Sequence, residues 1–89
     1  MPREAARQFL ERVRTLSSFE KHFGEPSVRH FKSAKSLVTL PSKSSRLPSE
    51  FGARIRALAK GIAERRSVGT KVTSYYSAER GWGFNVEFH

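Results

Sequence analysis

Thr70-Lys-Val-Thr-Ser-Tyr-Tyr-Ser77, Ala78-Glu-Arg-Gly81 and Trp82-Gly-Phe-Asn-Val-Glu-Phe-His89 follow one another at the end of the 89-residue chain. Lys71–Ser77 and Trp82–Phe88 have strand composition and flank a short glycine-closed turn, so the stretch 70–89 predicts an antiparallel hairpin. The second strand alternates strictly. Trp82, Phe84, Val86 and Phe88 fall on one side, and Gly83, Asn85, Glu87 and His89 on the other. A strand with one apolar face needs something to cover that face, and a helix is the obvious candidate.

That helix lies just upstream. Phe51, Ile55, Leu58 and Ile62 recur at i, i+4, i+7 and i+11, predicting an amphipathic helix over Pro48–Arg66. Pro48 and Glu50 suit its first turn, and Arg65 and Arg66 its last. Farther back, Pro2 to about Leu16 predicts another helix, with Ala6, Phe9, Val13 and Leu16 on one stripe. Arg3, Arg7 and Arg14 share a neighbouring edge, and Arg7–Glu11, Glu4–Arg7 and Glu11–Arg14 have the spacing of a surface ion-pair ladder. Ser17-Ser-Phe-Glu20 has capping-box spacing, predicting a short second helix through Phe23 that leaves by a left-handed Gly24. Ser36–Leu40 has strand composition and stops at Pro41, whereas residues 27–35 are ambiguous, since Val28, Phe31 and Leu37/Val38 also fit a loose helical face. Pro41–Pro48 is a serine- and cation-bearing loop.

The expected fold is therefore one small α+β domain over residues 1–89. Two N-terminal helices, one strand, a long amphipathic helix and a C-terminal hairpin follow in order, with the helices on one sheet face. An apolar share of 37% is enough for a modest core, which argues against a disordered chain. No apolar run reaches the roughly 18 residues of a membrane span and no signal-peptide core is present, so a cytoplasmic protein is expected.

Charge is the strongest functional signal. Seventeen Lys and Arg against eight acidic residues give +9. Arg29, Lys32, Lys35, Lys43 and Arg46 stand in residues 26–49 with no acid among them. Such a run attracts polyanions, and serine-rich loops offer hydroxyls and amides to phosphate as well. Lys71, Arg80 and the aromatic Tyr75 add to the candidate nucleic-acid-binding set.

Tyr75-Tyr-Ser-Ala-Glu-Arg80-Gly-Trp-Gly-Phe84 resembles the hairpin of cold-shock domains, whose pattern runs W-F-N-x-x-K-G-F/Y-G-F. Its second half is similar to the start of the ribonucleoprotein signature of RNA-recognition motifs. The likeness covers ten of the 89 residues. It implies that Tyr75, Trp82 and Phe84 form a platform on which bases stack, with a cation alongside. Strand alternation gives Trp82 and Phe84 the other role, as part of the core. On either reading Tyr75, Lys71, Arg80 and the middle segment stay available to a ligand.

Other chemistry is poorly supplied. There is no cysteine and no aspartate, and the histidines are His22, His30 and His89. Neither a cofactor nor a metal is expected. A ribonuclease using His30, His89 and a glutamate would need groups that no spacing brings together, so the chain is expected not to be an enzyme. A nucleic-acid-binding protein is the first expectation. A protein-binding module or inhibitor that docks its basic patch on an acidic partner or nucleoprotein complex is the alternative.

Overall fold

The computed structural model describes all 89 residues. Helix α1 covers Pro2–Val13 and buries Ala5, Ala6, Phe9 and Val13. It ends three residues before the expected Leu16, which is half-buried against the core. Helix α2 is a single turn, Phe19–His22. The expected capping box does not form. Ser18 is the residue before the helix, with φ of 66° and no side-chain cap bond. Nor is Gly24 left-handed, because the chain leaves through an extended Phe23 (φ −123°, ψ 143°). Aromatic packing holds the turn instead. Phe19 stacks on Phe23 at 4.6 Å, and Phe51 meets Phe23 edge-on at 5.2 Å.

The ambiguous stretch contains a strand. β1, Ser27–Phe31, pairs antiparallel with β2, Lys35–Pro41, with Phe31 opposite Lys35. The single strand expected at 36–40 is thus one arm of a hairpin. β1 is an edge strand with four of its five residues exposed, so nothing obliges its sequence to alternate. A 3-10 turn at Ser49–Phe51 leads into α3, Gly52–Arg66. The helix stops at Ser67, in left-handed conformation with φ of 55°, ahead of the expected Val68-Gly69. Its buried stripe runs through Ile55, Ala59, Ile62 and Ala63, while Leu58 sits at the margin. β3, Thr70–Ser77, and β4, Gly81–Phe88, form the expected C-terminal hairpin.

The four strands make one antiparallel sheet in the order β1-β2-β4-β3. Cross-strand register puts Val28, Val38, Val86 and Val72 in one row, and Leu40 beside Phe84 in another. Val38, Leu40, Phe84, Val86 and Phe88 are buried together with side chains of α1 and α3. Phe9 of α1 meets Phe88 at 5.7 Å. Rows displaced by one residue carry the other side chains: Arg29–Leu37–Glu87–Lys71, Ser27–Thr39–Asn85–Thr73, and Pro41–Gly83–Tyr75. No helix is long and apolar enough to cross a membrane.

Candidate nucleic-acid interface

Residues of the odd-numbered rows, together with Val28 and Tyr76 on the two edge strands, line a shallow groove of about 620 Å³. Leu37, Thr39 and Asn85 line its middle, Arg29 one end, and Tyr75 and Arg80 the other. Strand period places them there, since residues two apart share a face and registered neighbours stand about 4.8 Å apart across strands. Thr39 Oγ1 donates to Asn85 Oδ1 at 3.1 Å, which leaves the two Nδ2 hydrogens of Asn85 free to donate.

Tyr75 lies across the strand from Gly83, and Cζ and Oη of its ring occupy the space that a Cβ at position 83 would need. Gly83 is buried, and the Tyr75 side chain lies over its backbone. The Tyr75 hydroxyl is buried and has no hydrogen-bond partner. Burial pushes its pKa above the ordinary 10.0, against the opposing pull of the Arg80 charge.

The candidate cations have different fates. Arg29, Lys32, Lys71 and Arg80 are exposed and form no ion pair. Arg29 lies 5.3 Å from the centre of the Phe31 ring, a cation–π contact that steadies it at the rim. Lys35 approaches the same ring at 5.5 Å and Glu87 at 3.7 Å. The backbone N–H of Arg80 donates to Ser77 Oγ at 2.8 Å, fixing the turn that carries the guanidinium. Lys43 and Arg46 are engaged elsewhere. Lys43 Nζ donates to the Glu20 carbonyl at 2.6 Å, and Arg46 pairs with Glu50 at 3.3 Å. That contact, through its hydrogen bond first, holds the Glu50 carboxyl below the usual carboxylate range.

The five cations contiguous in sequence are therefore not one cluster. β2 separates Lys32 and Lys35 from Lys43 and Arg46 by about 20 Å of extended chain. The structure brings Arg29 together instead with Tyr75 and Arg80, more than 45 residues away in sequence. It also separates Tyr75 from Trp82. Trp82 is half-buried beside Tyr76, with ring centres 4.9 Å apart, and lies in the even-numbered register, on the opposite side of the sheet from Tyr75. Phe84 is in the core at 2% exposure. Asn85 and Thr39 were not candidates from sequence, although the parity of β4 sets Asn85 opposite the apolar stripe.

The two histidines named for a ribonuclease also part company. His30 Nδ1 is 2.7 Å from the buried Ser36 Oγ, in the even-numbered register. His89 follows in the other register, 3.5 Å from Glu87, its backbone bonded both ways to Gly69. No protein-family model matches this chain, no curated protein matches its sequence, and no solved structure matches its fold.

Proposed function

We propose that this protein binds single-stranded nucleic acid, RNA or DNA, on the sheet face turned away from α1 and α3. With the helices on one face, the other is a surface of four strands that no element of the chain covers. One observation carries the reading: Arg29 and Arg80, neither neutralised by a carboxylate, stand at opposite ends of one groove with the Tyr75 ring between strands beside them. Arg29, Arg80, Lys71 and Lys32 supply phosphate contacts, and Tyr75 supplies a surface for a base. Stacking of this kind is worth about 1–3 kcal/mol per base and tolerates sequence.

A shallow, open groove suits unpaired bases, whose faces are accessible. In a duplex those faces are already stacked. Cytoplasmic residence and a binding role without catalysis belong to the same reading. Competition tests it directly: a labelled single strand bound to the protein is displaced by unlabelled single strand far more readily than by duplex of equal length. Equal displacement by duplex would reduce the surface to a charge patch. Failure to bind any polynucleotide would turn the same cations toward an acidic protein partner.

A further inference from the structure

Arg7 has the spacing to pair with Glu4 and Glu11, but neither it nor Arg3 has a carboxylate partner in the structure. Glu4 is instead 3.9 Å from Arg66 of α3. The start of α1 stands beside the β1–β2 turn, and the two enclose a cleft of about 490 Å³. Arg3, Arg7, Lys32 and Lys35 all line it, with Glu4 as its one carboxylate. Lys35 is paired with Glu87 at 3.7 Å, which leaves Arg3, Arg7 and Lys32 as three unpaired like charges whose field is concentrated by the concavity.

This cleft is joined to the open sheet face through Phe31. The ring lines the cleft and also carries Arg29, which lines the groove on the sheet. A path therefore runs from Arg80 and Tyr75 across Thr39 and Asn85 to Arg29, then over Phe31 to Arg3 and Arg7. Its sheet portion covers six residue steps along β2 and three strand spacings, about 20 Å by about 14 Å. That length accommodates a single strand of several nucleotides, and site sizes of about 4–16 are usual for single-strand-binding domains.

We infer that the cleft between α1 and the β1–β2 turn is a second phosphate-binding station, which takes the backbone of the same strand as it leaves the sheet. The inference rests on the nucleic-acid reading of the open face and adds Arg3 and Arg7 to Lys32 as contacts at this end of the strand. It makes the footprint longer than the sheet alone and assigns the extra length to one end.

The test uses fluorescence anisotropy with labelled oligothymidylates of about 4 and about 12 nucleotides, over roughly 50–200 mM salt. Wild type is compared with Arg3→Gln/Arg7→Gln and with Lys60→Gln/Arg65→Gln, which removes the same charge from α3. The short oligonucleotide is expected to bind wild type and the Arg3/Arg7 variant alike. The long one is expected to gain affinity on wild type and to lose most of that gain in the variant. Its salt slope should fall by about 1.4, the value for two contacts on a single strand, and the α3 variant should keep the wild-type slope. An Arg3/Arg7 variant with the full length gain and slope would overturn the cleft while leaving the sheet face standing. Wild type binding neither oligonucleotide would overturn both. Arg3 and Arg7 are exposed and unpaired, so folding is expected to survive. Lys32→Gln, at the turn, gives an independent check with half the slope change.

Discussion

The tip of the Tyr75 side chain fills the space that a Cβ would need at Gly83, its registered neighbour on β4. The two residues are one unit: the glycine makes the seat and the ring covers it. Gly83→Ala must push the ring away, at a cost of about 1–3 kcal/mol for overpacking. In a Tyr75→Ala background the seat is vacant, and the same substitution should be neutral or stabilising by about 0.5–1 kcal/mol, as alanine is over glycine in a strand. Urea denaturation of the four proteins in this cycle measures the coupling. Equal costs in both backgrounds would show that the ring does not sit there.

Tyr75→Phe keeps the ring and removes a buried hydroxyl that has no partner. An unsatisfied buried donor costs about 1–3 kcal/mol, so the variant is expected to be as stable as wild type or more so, with a Tm raised by a few degrees. The pH dependence has a definite sign. Burial raises the phenol pKa above 10.0, so the fold favours the neutral form. The stability tied to that proton is present below the unfolded pKa and is lost as pH rises through the folded one. Urea midpoints near pH 9 and near pH 11 should therefore diverge more in wild type than in Tyr75→Phe, and parallel shifts would contradict this account.

Two hairpin turns contain a left-handed residue, Gly81 at φ +74° and Ala34 at φ +60°. Alanine in that conformation costs about 1–2 kcal/mol. Glycine costs about 0.4–1 kcal/mol in unfolded-chain entropy. The first effect wins, so Ala34→Gly is expected to stabilise by roughly 0.5–1 kcal/mol, whereas Gly81→Ala should destabilise. Thermal melts of both variants check the pair. Ala34→Gly lowering the Tm would mean that the turn at 32–34 has another geometry.

What the sequence reveals follows from what each residue must satisfy. Trp82, Phe84, Val86 and Phe88 alternate because β4 is a central strand with one face in the core, so its strand and parity could be read directly. β1 lies at the edge, and Ser27-Val-Arg-His-Phe31 obeys no burial pattern that would betray it. The Ser17–Glu20 box has the right spacing but loses to the packing of Phe19, Phe23 and Phe51, which sets the turn a residue later. The site was harder to read. A run of five cations looks like one patch until a seven-residue strand carries its two ends apart. The unpaired set of Arg29, Lys71 and Arg80 is assembled only by the pairing of β2 with β4, a contact between distant segments.

Salt dependence of binding to a labelled single strand, with Trp82 emission recorded on the same samples, tests the central claim most directly. Four phosphate contacts predict a slope of log K against log salt of about −3 or steeper, and Arg29→Gln/Arg80→Gln should make it shallower by about 1.4. Trp82 emission should change little, because Trp82 falls in the opposite register from Tyr75 and does not line the groove. No binding at low salt, or a double variant that keeps the wild-type slope, would contradict the account.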